Sequence, residues 1–256
     1  MLQKKQIVVH DVLVNYYISS VKKAPKTLLF LHGWRSNSKV WFPLLKRLQR
    51  DFTLYSLDLP GFGDSEIPEK PWTHADYVTV VSEFVTRLNM KNVAVVGHSF
   101  GGSVAMRLAI QLPKLVRLLV LVDSSGIRKK TAVKTTKNVI AKIAKPVFQI
   151  PFMKKPREAI YRMLGAEDYV VTPYLKDTFR NIIQEDLTMY LAQIKQKTLL
   201  IWGKDDIDSP LHHAHLMERM IPNVSLVIVP NAGHFSFTDQ PEQFTDVLLT
   251  FLQKNE

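Results

Sequence analysis

The stretch Asn92-Val93-Ala94-Val95-Val96-Gly97-His98-Ser99-Phe100-Gly101-Gly102 decides how the rest of the chain is read. Residues 93–96 are a short apolar run suited to a buried strand, and residues 103–111 continue as a small-residue pattern compatible with a helix. Between them a serine stands in Gly97-x-Ser99-x-Gly101, so the segment reads strand, sharp turn, helix, the context of a nucleophile elbow. A serine forced into such a turn points its hydroxyl into open space, and flanking glycines let neighbouring backbone pass without Cβ clashes. The backbone N–H of Phe100, at the start of the helix, is then aimed at any oxyanion that forms beside Ser99.

Working outward, residues 27–31 form a continuous apolar run, the mark of a strand covered on both faces, and end in His32-Gly33-Trp34. Helical spacing over 40–48 leads to a strand over 53–57, which closes on Asp58-Leu59-Pro60-Gly61-Phe62-Gly63-Asp64-Ser65. Thr73 with Asp76 predicts a capping box ahead of a helix carrying Tyr77, Val80, Val81, Phe84, Val85 and Leu88. Further strands are expected at 118–122, ending at Asp123, at 198–202, ending in Gly203-Lys204-Asp205-Asp206, and at 225–229, followed by Asn231-Ala232-Gly233-His234. Ser209 followed by Pro210 reads as an N-cap and first turn for a helix over 211–220, and residues 242–252 close the chain as a helix. Residues 7–9 and 12–18 suggest an opening hairpin around His10-Asp11. Strands alternating with helices predict one α/β domain with a mostly parallel sheet covered on both faces.

One connection is far longer than a crossover needs. About 75 residues separate Asp123 from Thr198, where a dozen or two suffice. The surplus has its own helical signals at 139–144 and 157–164, and Thr172-Pro173 opens another over 174–183. We therefore expect a core of 1–126 and 190–256, with residues 127–189 inserted as a helical lid over the edge of the sheet where ligands of open α/β sheets bind. The lid is basic: 127–189 holds 13 Lys/Arg against 6 Asp/Glu, or +7 of the chain's +11. Its apolar residues, Phe148, Phe152 and Met153 among them, are expected to line a substrate pocket, with the lysines as its solvated outer face. A weak contact of that face with anionic membrane or lipid is the sharper alternative.

Composition narrows the chemistry. With no cysteine, thiolate catalysis, disulfides and Cys-based zinc sites are excluded. Residues 1–11 are charged and lack the apolar core of a signal peptide, and no run approaches the roughly 18 apolar residues of a membrane span, so a soluble, cytoplasmic protein is expected. The basic balance, with a pI near 9.7, would suit nucleic acid, but no base-reading or stacking motif accompanies it, and a nucleic-acid partner is not expected.

Four landmarks in this order resemble the α/β-hydrolase superfamily: His32-Gly33 after a strand, Asp58-x-Pro60-Gly61-x-Gly63-x-Ser65, Gly97-x-Ser99-x-Gly101, and Gly233-His234 near the C-terminus. The Gly203-x-x-Asp206 turn adds to them, and the resemblance spans all but the lid. It implies Ser99 as nucleophile, His234 as the base that takes and returns its proton, and Asp206 as the acid that holds the imidazole tautomer. The oxyanion donors it implies are the backbone N–H groups of Trp34 and Phe100. Phe235 joins the lid residues as a pocket candidate.

Alternatives stay open at several positions. Asp205 and Asp208 crowd the Asp206 turn, and Asp123 ends a strand where some relatives place the acid; Asp58 is expected to brace its own loop. Among the other histidines, His10 and His74 read as solvated, and His32 and His98 as shaping loops around the site. His212, His213 and His215 could share a metal but read as a solvated helix face, so no metal or cofactor is expected. The set predicts a serine hydrolase, a carboxylesterase of small to medium acyl esters in the first place. A carbon–carbon bond hydrolase of ring-cleavage products and a non-turnover ligand receptor on the same fold are the rivals. Oligomeric state is not legible in the sequence.

Overall fold

A computed structural model of the chain describes residues 2–19, 26–128 and 172–255. Strands β1 (Gln3–Val9) and β2 (Val12–Ser19) form the opening antiparallel hairpin. Its two-residue tip needs positive φ at both positions, and His10 and Asp11 supply 50° and 58°. Beyond the hairpin lie β3 (Thr27–Leu31), β4 (Thr53–Leu57), β5 (Val93–His98), β6 (Val116–Val122), β7 (Lys197–Gly203) and β8 (Val224–Val229). They join in the order β1-β2-β4-β3-β5-β6-β7-β8, parallel from β4 to β8.

Successive residues of a strand point to opposite faces, and here both faces are dry. Leu29, Leu31, Val93, Val95, Leu119, Leu121, Leu200 and Trp202 pack on one side. Leu28, Phe30, Ala94, Val96, Leu118, Val120, Leu199 and Ile201 pack on the other. That is why these segments read as unbroken apolar runs rather than alternating ones. The first side is covered by α2 (His74–Arg87), α3 (Phe100–Gln111) and α5 (Leu211–Met220), the second by α1 (Phe42–Leu48) and α6 (Pro241–Lys254). The capping box of α2 forms, with the Thr73 N–H and Oγ both donating to Asp76 Oδ2 at 2.7 Å.

Two expectations need comment. Ser209 does not cap α5: the helix starts after Pro210, the Ser209 N–H donates to Asp206 Oδ1 and its carbonyl accepts from Trp202 Nε1. The Asp206 carboxylate three residues back and the Trp202 indole N–H seven back engage the backbone of a residue whose local pattern suited a cap. Of the expected lid, residues 129–171 lie outside the described residues, and with them the pocket candidates Phe148, Phe152 and Met153. The described end of that insertion, a 3₁₀ turn at Pro173–Leu175 and α4 (Lys176–Gln184), packs on the core through Leu175 and Ile182. Among the described residues no helix is long and apolar enough to cross a membrane.

The parallel strands deliver their C-terminal ends to one edge. Gly33 and Trp34 follow β3, Ser99 follows β5, Asp123 follows β6, Asp206 lies just beyond β7, and His234 follows β8.

Candidate active site

Ser99 sits between β5 and α3 with φ 49° and ψ −117°, a conformation that costs a non-glycine residue about 1–3 kcal/mol. The surroundings over-determine it. Its N–H donates to the Val122 carbonyl at 3.0 Å, and its carbonyl accepts from the N–H groups of Gly102, Ser103 and Ser125 at 2.9, 3.2 and 3.1 Å. At about 1 kcal/mol each, these bonds offset the strain. The glycines are steric requirements: a Cβ on Gly97 would run into the Gly101 carbonyl, and one on Gly101 into the Leu31 carbonyl.

The side chain of Ser99 meets His234, whose Nε2 lies 3.0 Å from Ser99 Oγ; the other ring nitrogen, Nδ1, lies 2.9 Å from Asp206 Oδ2. Asp206 is fully buried at its carboxylate, and its Oδ1 accepts from the N–H groups of Asp208 and Ser209 at 2.8 and 2.9 Å. With a hydrogen on Nδ1, the imidazole presents an acceptor to the serine hydroxyl. Burial works to lower the His234 pKa; the Asp206 hydrogen bond and the charges of Asp206, Asp208 and Asp123 outweigh it, leaving the group above its usual value. The chain Ser99–His234–Asp206 can therefore pass a proton from hydroxyl to imidazole and hold the resulting cation.

Asp123 is close but bonded elsewhere. Its Oδ1 accepts from the Gly203 N–H at 2.7 Å, and its Oδ2 from the Ser236 N–H and Oγ at 3.1 and 2.6 Å. Burial, with a further push from the Asp206 charge, raises its pKa to about 6 against the pull of those donors. Asp123 thus ties the end of β7 to the loop carrying His234. His98 ties the same loop to the elbow, its Nε2–H donating to the His234 carbonyl at 2.7 Å. Burial first, then the neighbouring His234, pushes the His98 pKa down to about 3, so it stays neutral. His32, also held neutral by burial, donates from Nδ1 to the Gly33 carbonyl and accepts the Leu59 N–H at Nε2, joining two loops. Asp58 braces its loop through the Ser38 N–H, Asn15 Nδ2 and the Asp64 N–H.

The backbone at Gly33-Trp34 passes directly beside the serine; a Cβ on Gly33 would lie 3.2 Å from Ser99 Cβ. Among the described residues no backbone carbonyl accepts from the N–H of Trp34 or of Phe100. Phe235, 42% exposed, packs against His98 with the rings tilted by 40° and their centroids 4.9 Å apart.

A family model described as the alpha/beta hydrolase family matches residues 28–247. The chain belongs to that family. It is 29% identical over 259 residues to the pimeloyl-(acyl-carrier protein) methyl ester esterase of Nitrosomonas europaea, covering 91% of this chain and 97% of that one. In fold it is similar to an esterase from Exiguobacterium antarcticum, with a TM-score of 0.78 and 21% identity over 98% of this chain and all of that one. A meta-cleavage product hydrolase from Pseudomonas fluorescens superposes with a TM-score of 0.75 and 18% identity, covering 98% of each chain.

Elsewhere in this alpha/beta hydrolase two histidines depart from expectation. His74, expected in solvent, is 1% exposed, with Nδ1 2.8 Å from Glu185 Oε2 and Nε2 2.9 Å from Ser103 Oγ. His213, expected on a solvated face, is buried in α5. The partners of His74 arrive 29 and 111 positions later, so no local pattern could reveal them. Among the described residues the one group within metal-ligand reach is Asp206, Asp208 and His234. Both nitrogens of His234 are already engaged there, by Asp206 and Ser99. A cavity of about 430 Å³ lies at the opposite sheet edge, lined by Lys114, Arg117, Lys195 and Lys197. Arg117 lies in β6 and donates from Nη2 to the Asn255 carbonyl at 3.0 Å.

Proposed function

We propose that this alpha/beta hydrolase is a serine esterase that cleaves carboxylic esters of small to medium acyl groups through an acyl-enzyme. The observation that carries the reading is the unbroken hydrogen-bonded chain from a strained Ser99 through His234 to a buried Asp206. Ser99 Oγ attacks the ester carbonyl while His234 takes its proton; the oxyanion accepts from the N–H groups of Trp34 and Phe100. His234 then returns the proton to the leaving alkoxide, and water repeats the sequence on the acyl-enzyme. Each oxyanion donor is typically worth about 3 kcal/mol in the barrier. The kinship with a methyl ester esterase supports esters as the substrate class.

A series of p-nitrophenyl esters from acetate to palmitate tests this. A burst of p-nitrophenolate followed by steady turnover, peaking at one chain length, is expected. No hydrolysis of any member would overturn the ester reading and turn attention to ring-cleavage dienoates or to ligand binding without turnover.

The pH profile follows from His234. The base must be neutral to accept the serine proton, so kcat/KM should rise with pH. Because the folded group titrates above the ordinary histidine value, the midpoint should lie above about 6.5. Asp208→Asn removes one of the charges that raise it and should move the midpoint down, a shift read directly from the kcat/KM profile.

The His98 bond predicts a positioning effect. His98→Leu removes the donor to the His234 carbonyl and should lower kcat by about a hundredfold, the scale of a small misplacement of a reacting group, with KM little changed. His98→Gln, whose amide can reach the same carbonyl, should recover most of it.

A further inference from the structure

His74 stands outside the reacting groups yet joins three elements. It is the first residue of α2, and it meets α3 at Ser103, only four positions beyond the candidate nucleophile. On its other side it meets Glu185, which directly follows α4. Ser103 Oγ in turn lies 2.7 Å from the Phe100 carbonyl. The hydrogen bonds run as one row: Nδ1 of the imidazole with Glu185, Nε2 with Ser103 Oγ, and the Ser103 hydroxyl donating to the Phe100 carbonyl. Glu185 closes the row on the α4 side. Its own pKa is lowered, first by the His74 hydrogen bond, and Arg107 stands 3.9 Å from its other oxygen while lying over the Tyr190 ring.

The same stretch of chain is fastened at further points. The Trp72 N–H donates to Thr178 Oγ1 at 3.0 Å, Asn181 Nδ2 donates to the Trp72 carbonyl at 3.1 Å, and Leu175 fills the space above Gly61. These bonds hold α4 so that Phe179 lies 5.0 Å, centroid to centroid, from the Trp34 ring. Trp34 itself packs on Phe62 and Phe100, and its backbone runs beside Ser99. Phe179 therefore packs on the ring of the residue next to Gly33, whose backbone passes beside the candidate nucleophile.

We propose that His74 and Glu185 latch α4 onto α2 and α3, and that the latch makes Phe179 a selecting wall for the acyl group. The selectivity half rests on the esterase reading; the latch half does not. A buried polar row of this kind is set by its partners, since an apolar replacement on one side leaves the other unsatisfied. Glu185 acts through Phe179 and is a positioning residue.

Two readouts test it. Hydrogen exchange in the whole chain reads the latch without any substrate: Glu185→Ala should speed exchange of the α4 amides at 176–184 by about tenfold while β5 is unaffected. Unchanged α4 exchange would overturn the latch. The ester series reads the wall. Relative to wild type, Glu185→Ala should lower the ratio of kcat/KM for octanoate over acetate by about tenfold, and Phe179→Ala should do the same. The double variant should fall no further than Phe179→Ala alone, the non-additivity expected when one residue acts through the other. A fall in thermal stability with an unaltered chain-length profile would reduce the row to scaffolding. Should wild type cleave no ester, the esterase reading fails on its own while the exchange result still decides the latch.

Discussion

Ser99→Ala should reduce turnover of any cleaved ester by about 10⁶-fold, the scale seen when a serine nucleophile is removed from a relay that works as a unit. The reaction loses its covalent intermediate, and His234 has no hydroxyl to deprotonate. What remains is the oxyanion pair and substrate binding, worth about three or four decades over water in comparable sites. A second substitution separates chemistry from strain. At φ 49° an alanine keeps the steric penalty, whereas glycine adopts that conformation freely. Ser99→Gly should therefore be as inactive as Ser99→Ala yet melt higher by several degrees, since about 1–3 kcal/mol of strain is released in a chain of this size. Calorimetry on the two variants measures the difference. Equal melting temperatures would mean that the turn stores no strain, and activity retained in either would move the nucleophile elsewhere.

Legibility in the sequence followed how local each signal was. The elbow could be read because its requirements lie within five residues: Gly97 and Gly101 are needed by backbone that crosses immediately beside Ser99. The strands could be read because both of their faces are buried, which leaves uninterrupted apolar runs. Asp206 could be approached only through a resemblance, because three aspartates share its turn and spacing does not say which one faces the imidazole. The structure distinguishes them by partners: Asp206 alone of the three bonds the ring, its second oxygen taken by two backbone N–H groups. His74 and Ser209 were misread for the opposite reason. Each sits in a local pattern with a standard meaning, and each takes its actual partners from far along the chain or from another turn.

The two buried aspartates near His234 call for opposite outcomes. Asp206→Asn should cost about 10⁴-fold in kcat, because an amide at this position no longer fixes a hydrogen on Nδ1 or stabilises the imidazolium. Asp123→Asn should cost less than about tenfold, because neither of its oxygens bonds the ring; instead it loses a bond to Gly203 or Ser236 and melts lower by several degrees. Its pH signature has a definite sign. Asp123 titrates near 6 when folded, against 3.8 for an unperturbed aspartate. Between those values the unfolded chain has released a proton that the folded chain keeps, so this group makes wild-type stability fall as pH rises across that window. The asparagine variant lacks the titration and should show a flatter stability curve from pH 4 to 6, a difference measurable by denaturant unfolding at a few pH values. If the costs in kcat were reversed, the acid would belong to Asp123, at the end of β6, and the 2.9 Å contact between Asp206 and the imidazole would be a structural tie rather than part of the relay.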